Sequence, residues 1–378
     1  MKDHYRCWAE IDFDALRDNL AWIRQQVGPA VRIMTVVKAD AYGHGLKPIA
    51  GLLMQSGTDI FGVANLAEAR AIRSVGKGWP ILLLGPCLPG EIEEAIREGV
   101  MPTVSSEAEA RLFSMTARRM KQAVNVHLKV DTGMGRLGVA AASAAGLAKR
   151  IRKLPGLRLE GIYTHFSAVE DDSEFSRLQR QKFECVLEQL RAERIEIPTI
   201  HAANSGGLLH EPESVFNVVR PGLLVYGIVP PGRRKAGETN LGRPALSLHC
   251  RVGFVKTVRQ GTRLSYGGSF VARKSMRVAT LTAGYGDGYF RAASNRAEVL
   301  IDGKRCRVLG RVTMDQTLVD VTRVRTVRVG DEAILIGKQK HKEITANELA
   351  ERCGTIPWEV LTAISYRVPR VYRGSQAA

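Results

Sequence analysis

The sequence predicts a parallel (β/α)8 barrel followed by a mostly antiparallel β domain, and three observations predict it. Eight short apolar runs, separated by stretches of helical periodicity, fill residues 1–242. From about Arg243 the pattern changes to alternating apolar and polar residues without long helical segments. The chain has 378 residues, more than the roughly 250–300 at which a single core stops growing, so a barrel over 1–242 and a β domain over 243–378 are expected.

The elements follow in order. "IDFDALRDNLAWIRQQVG" places Ile11, Leu16, Leu20, Ile23 and Val27 on one helical face, with Asp12 or Asp14 as N-cap and Gly28 as stop. The residues before it, up to about Glu10, are expected to pack with the β domain. Then come "VRIMTVV", "FGVA", "PILLLG", "MPTVS", "VNVHLKV", "LEGIYTH", "IPTIHAA" and "FNVVR", with helices such as "NLAEARAIRSVG" and "EFSRLQRQKFECVLEQLRAE" between them. Crossover helices shield both faces of parallel strands, which is why such strands read as unbroken apolar runs. A doubly wound open sheet is the alternative arrangement.

The boundary is expected in "PPGRRKAGETNLGRP", rich in glycine, proline and charge. Beyond it "ALSLHCRVGFVKTV", "MRVATLTAG", "AEVLIDGKRCRVLGRV", "QTLVDVT" and "DEAILIG" alternate as half-buried strands do. The Asp-Gly pair in "IDGKRC" predicts a hairpin, and the basic stretch "GKQKHKE" sits where a surface hairpin belongs. Disorder is expected only in the tail, Gly374 to Ala378.

With 45% hydrophobic and 25% charged residues the chain reads as an ordinary globular protein. The net charge of +17 is dispersed along the chain rather than clustered, which favours a solvated surface over a nucleic-acid partner. Six scattered cysteines, none in a C-x-x-C pair, suggest reduced structural thiols and no metal site. No apolar leader opens the chain and no run approaches the roughly 20 residues that cross a bilayer, so a cytoplasmic protein with no membrane partner is expected.

Barrel active sites sit at the carboxyl ends of the strands. Lys38 closes the first predicted strand, Lys129 lies in the fifth, His165 closes the sixth, Asn204 and Ser205 follow the seventh, and Arg220 closes the eighth. Each alone has an ordinary explanation as an exposed or core polar residue; together they point to one face. The loops "NSGG" and "RPG" are where barrels hold phosphate, because glycine lets backbone N–H groups approach the anion. A phosphate site and a lysine at one barrel mouth suggest pyridoxal phosphate (PLP), with Lys38 holding its aldehyde as a Schiff base. Burial and a nearby cation, Arg220 or Arg136, would lower the amine's pKa from roughly 10.4.

"VVKADAYGHG" resembles the PLP-attachment signature of bacterial alanine racemases. The likeness runs over nearly the whole chain through "HLKVDTGMGRLG", "THF", "HAANS", "VVRPGLLVYG", "LSYGGSF", "AGYGDGY", "GRVTMDQ" and "ISYRVPR", in the family's order. The resemblance implies a fold-type III PLP enzyme, active as a homodimer with shared sites, that interconverts L- and D-alanine for peptidoglycan. It implies that Lys38 is the base on the D-face and that Tyr266, from the other subunit, is the base on the L-face. It implies that Arg220 faces the cofactor nitrogen, with His165 beside it as a relay to Tyr266. Tyr42, Ser205, Gly222, Leu223 and Tyr366 match the phosphate-binding positions, and Asn204 lies among them. Arg136, Met314 and Asp315 match substrate-binding positions, and Lys129 matches a position carbamylated in many members. Tyr285 and Arg311 are expected along the approach to the site. Gly43 and Gly45 are expected to let the chain turn closely around the phosphate, while Asp40, His44 and the segment "SAVEDDSEFSR" carry no assigned role.

Two rival readings share parts of this pattern. PLP-dependent decarboxylases share the architecture but usually place an acidic residue at the cofactor nitrogen, where this chain offers Arg220. A non-catalytic PLP-binding protein would have the barrel alone, without the domain that carries "LSYGGSF" and "GRVTMDQ".

Overall fold

Asp12 decides where the first helix begins. In a computed structural model that describes residues 4–232 and 241–375, its carboxylate accepts the N–H of Ala15 at 2.9 Å and the helix runs Phe13–Val27. Gly28, at φ 79°, ends it, as a residue without a Cβ can at no steric cost. Asp14 instead pairs with Arg17 in the first turn, at 2.8 Å. Ile11, expected on the helix face, belongs to the preceding strand Cys7–Asp12. Its burial satisfies either pattern, and pairing with two neighbouring strands decides for the sheet.

All eight apolar runs of the first half form strands: Arg32–Val36, Ile60–Val63, Ile81–Leu83, Met101–Val104, Val124–Asp131, Leu157–Tyr163, Thr199–Asn204 and Val218–Arg220. Each pairs in parallel with its neighbours. The ring is closed, with Val218 of the eighth strand beside Arg32 of the first and Thr103 of the fourth beside His127 of the fifth, which excludes the open sheet. A short extra strand, Val139–Ala140, flanks the fifth. The helices cover the outside with apolar stripes; Phe183, Val186, Leu187 and Leu190 of helix Ser173–Ala192 are buried. At roughly 1.5–3 kcal/mol for each large apolar side chain fully buried, such stripes rather than helix propensity hold the outer layer.

The second sheet is built around one long strand, Leu246–Val258. Its first half pairs antiparallel with Cys7–Asp12 and Glu332–Gln339, its second half with Met276–Leu281. The N-terminal strand thus joins the β domain, as expected, and also pairs in parallel with Arg370–Arg373. The predicted hairpin turns at Asp302 and Gly303, both at positive φ, between Glu298–Ile301 and Lys304–Arg307. The basic stretch likewise turns between Glu332–Gln339 and Lys342–Ile344. Two short helices, Ala346–Cys353 and Pro357–Thr362, were not anticipated. The expected boundary segment falls partly, and the expected disordered tail mostly, outside the described residues. Among the described residues no helix is long and apolar enough to cross a membrane.

Candidate active site

Lys38 follows the first barrel strand by two residues, and the chain then does something local sequence preference opposes. Ala39, Asp40, Ala41 and Tyr42 all have φ near +55°, one turn of left-handed helix. For L-residues this conformation costs about 1–2 kcal/mol each. Backbone bonds offset part of that, Ala41 N–H to Val37 C=O at 2.9 Å and Gly45 N–H to Asp40 C=O at 2.9 Å. Side chains add to it: Glu68 accepts the N–H of Ala39 and that of Ala64, each at 2.7 Å. Asp40 accepts the N–H of Leu46 at 2.7 Å, capping a helix, Leu46–Gln55, whose N-cap Gly45 has no side chain to do so. His44 is wholly buried, its Nδ1 donating to the Tyr42 carbonyl at 2.9 Å and its ring against Tyr226.

Gly43 and Gly45 differ from expectation. A side chain at Gly43 would collide with the Leu361 carbonyl, and one at Gly45 with the Tyr372 hydroxyl. The glycines make room for the β domain behind the turn.

The barrel mouth gathers the other predicted residues. Arg220 is 3% exposed, and one Nη donates to the carbonyls of Thr164 at 2.8 Å and Ala202 at 2.9 Å. The other Nη meets His201 Nδ1 at 2.8 Å, and His165 Nδ1 lies 3.3 Å from the first. An arginine donates only, so both imidazoles accept through Nδ1. His201 Nε2 therefore carries a proton, which it donates to His127 Nδ1 at 2.9 Å. Burial first, then the positive charge of Arg220, pushes the proton affinities of His165 and His201 well below the ordinary histidine value. Burial also lowers that of Arg220, to about 10. The site's positive charge thus rests on Arg220, with His165 neutral.

Lys38 has its pKa lowered, by burial first and then by Arg136, with Glu68 opposing. Lys129, 4% exposed, has its Nζ 4.4 Å from the centre of the Tyr163 ring. Its pKa is lowered further, by burial, Arg220 and Arg136, against a smaller opposing effect of Asp131. Asp131 is occupied by the N–H groups of Gly133, Met134 and Gly135, which shapes the loop leading to the exposed Arg136.

Ser205, Gly222, Leu223 and Tyr42 form a cradle. Ser205 Oγ accepts the N–H of Gly222 at 2.9 Å and of Leu224 at 3.3 Å, which leaves its own O–H to donate elsewhere. A Cβ at Gly222 would run into the Tyr42 hydroxyl. Leu223 makes no hydrogen bond from its N–H to a described residue. Asn204 caps the short helix behind, accepting the N–H of Gly207 at 2.8 Å. Hydroxyl and backbone donors at one point, a deprotonatable amine and a buried guanidinium at others: this donor set fits PLP.

The remaining predicted residues lie on the β domain and are exposed: Tyr266 70%, Met314 53% and Tyr366 99%. Ser265 Oγ donates to the Arg311 carbonyl at 2.6 Å, so the loops carrying Tyr266 and Met314 are adjacent. Arg367 ties Asp315 and Asp287 together, at 2.8 Å each, joining the loops of Met314, Tyr285 and Tyr366. The single chain gathers the barrel set around one mouth and presents the β-domain set on its surface.

Sequence reasoning missed Tyr163, His201 and His127, which lie inside the barrel. Their signal was their position on the same strands as chosen residues. It also missed Gln179, which donates to the His165 carbonyl at 3.2 Å and accepts from Ser167 N–H at 3.0 Å. The unread segment thus has a purpose: Asp172 caps the helix that carries Gln179. On the β domain, Glu10, His249 and Glu332 bring ligand atoms within 4.8 Å of one another. His249 is engaged by Ser247 and Glu332 and Glu10 by Arg373, so these residues read as a charge network.

Two family models match in tandem: alanine racemase, N-terminal domain, over residues 11–230, and alanine racemase, C-terminal domain, over 245–372. Alanine racemase of Halothermothrix orenii is 41% identical over 367 residues, 97% of this chain and 96% of that protein. That of Symbiobacterium thermophilum is 42% identical over 371 residues, 98% of each. Among solved structures, alanine racemase of Clostridium difficile 630 matches at TM-score 0.90 with 33% identity, covering 98% of this chain and 96% of its own. A Bacillus anthracis alanine racemase with bound L-Ala-P matches at 0.89, also with 33% identity and the same two coverages.

Proposed function

The chain belongs to the alanine racemase family, and from that premise we propose that it interconverts L- and D-alanine by two bases, with PLP as cofactor and each site shared across a homodimer. The observation that carries the reading is Arg220, a buried guanidinium at the position where the related decarboxylases place an acid. With all its bonded partners acting as acceptors, Arg220 keeps its proton, and it would hold the ring nitrogen of a bound cofactor without giving it one.

Bound at the mouth, PLP would supply an electron sink for the carbanion left when the α-proton departs. Lys38, whose lowered pKa favours the free amine, removes or returns that proton on the D-face. Tyr266 of the partner subunit does the same on the L-face; one base takes a proton while the other delivers one, so the product inverts. Its exposure here supports a role completed by association. Arg220, beside neutral His165, supplies the positive charge on the side of the site that Tyr266 of the partner subunit completes in this reading.

Ser205, Gly222, Leu223, Tyr42 and Tyr366, with Asn204 supporting them, hold the phosphate. Arg136 and the N–H of Met314 of the partner subunit take the substrate carboxylate, the latter steadied by Asp315 of the partner subunit through its Arg367 bond. Lys129 is a buried amine with a strongly lowered pKa between two arginines, the form that adds carbon dioxide. The carbamate formed would replace repulsion of Arg136 by attraction. The barrel over 1–242, the β domain over 243–378, a cytoplasmic location and supply of D-alanine to peptidoglycan belong to the same proposal.

The deciding experiment incubates purified protein with L-alanine and follows both chirality and carbon dioxide. Appearance of D-alanine without gas is expected; gas without D-alanine would establish a decarboxylase instead.

A further inference from the structure

Tyr366 presents a question that its assigned role does not answer. Its side chain is 99% exposed, so packing does not place its hydroxyl; the backbone on either side must. On one side, Arg367 is anchored to Asp287 and Asp315. On the other, the anchor is Arg370. Its Nη1 donates to the carbonyls of Ser365 at 2.6 Å and Val368 at 2.7 Å, and its Nη2 to that of Ile364 at 2.7 Å. Three carbonyls around Tyr366 are thus gathered onto one planar group.

The fourth bond leaves this loop. Arg370 Nε donates to the carbonyl of Gly43 at 3.0 Å, across 327 residues of sequence and from the β domain to the barrel. Gly43 directly follows Tyr42 and ends the left-handed turn. One guanidinium therefore fixes the neighbour of each tyrosine assigned to the cofactor phosphate. Its planar fork converts the separation of two loops into a fixed distance, which the three donors of a flexible lysine cannot reproduce. Tyr372 reinforces the same junction, its hydroxyl donating to the His44 carbonyl at 3.1 Å.

We propose that Arg370 is a positioning residue that sets the spacing of Tyr42 and Tyr366, and so tunes how tightly the enzyme holds the phosphate of its cofactor. The inference rests on the reading above in which those two hydroxyls bind that phosphate. Arg370 itself donates its bonds to carbonyls and acts through the tyrosines.

The test uses the full-length protein stripped of cofactor, with equilibrium binding followed by absorbance for PLP and, separately, for pyridoxal, which lacks the phosphate. Arg370→Met is expected to weaken PLP binding roughly 10- to 100-fold while leaving pyridoxal binding unchanged. Arg370→Lys should fall between it and the parent. In the double variant with Tyr366→Phe, PLP affinity should be little lower than in the weaker single variant. Equal losses for PLP and pyridoxal, or additive effects in the double variant, would overturn the proposal in favour of a structural role. Should Arg370→Met fail to fold, Arg370→Lys and Arg370→Gln carry the same comparison. Tyr42→Phe and Tyr366→Phe alone separate the premise: if neither weakens PLP binding, the phosphate assignment is wrong. If both do and the Arg370 variants do not, only the role of Arg370 falls.

Discussion

The barrel mouth and the exposed face of the β domain carry the two halves of one proposed site and are built in opposite ways. At the mouth, Arg220, Lys129 and His201 are buried and bonded or stacked within one chain, and proton affinities are displaced. On the β-domain face, Tyr266 and Met314 stand in solvent, with order only in the backbone beneath them. The contrast teaches that one half is preorganised by folding, while the other becomes a chemical environment only when something covers it. A covering barrel mouth from a second copy would do so.

The largest effects should come from removing one base from each half. Lys38→Ala and Tyr266→Phe are each expected to lower racemisation by on the order of 10³-fold or more. Subunit exchange between the two inactive variants should then recover activity, because some heterodimer sites hold both bases. Persistent inactivity after verified exchange would mean that the halves are not shared between chains.

Next in size, Arg220→Lys should lower kcat by about 10²-fold, with a smaller change in KM. A lysine's three donors cannot satisfy the carbonyls of Thr164 and Ala202 together with His201 and His165. An unchanged kcat would remove Arg220 from the argument.

The preorganised half should also be the acid-labile one. His44 and His127 have folded pKa values lowered to about 4 and about 3, mainly by burial, against about 6.5 unfolded. The unfolded chain binds more protons in that interval, so stability is full above about pH 6.5 and falls as pH drops towards these values. The slope is up to about 1.4 kcal/mol per pH unit for each histidine. Urea unfolding at pH 7, 5.5 and 4.5 reads the slope directly. His44→Gln should flatten it, and equal slopes would refute the account.

The smallest effect tests the turn. Asp40→Ala removes a helix cap and should cost about 1 kcal/mol of stability, read as a lower Tm, with no loss in subunit association. Impaired association would place the turn at the interface.

Much of this was legible in the sequence. Parallel strands buried on both faces leave a hydropathy signature, and the residues at their carboxyl ends could be named before the barrel was seen closed. Ile11 shows the limit at element boundaries, because a buried isoleucine satisfies strand and helix patterns alike. The left-handed turn after Lys38 was not legible, since alanine and tyrosine carry no preference for it and its supports come from Glu68, Arg370 and Tyr372. The His201–His127 chain was hidden too: nothing local distinguishes two ordinary core histidines from a tautomer-locked pair beneath an arginine. The exposed aromatic face appeared only through family resemblance, because a tyrosine awaiting a partner looks in sequence like any surface tyrosine.

The bond from Arg370 to Gly43 spans 327 positions, and that from Tyr372 to His44 spans 328. A ribosome that has released Lys38 must synthesise the rest of the barrel and nearly all of the β domain before these supports exist. Until then the left-handed turn lacks its distal clamps, and strand Cys7–Asp12 lacks both of its neighbours. Nascent chains should therefore complete the proposed cofactor site late, in one step rather than barrel first, and the β domain's last strand becomes the timing element for maturation of a site at the opposite end of the message.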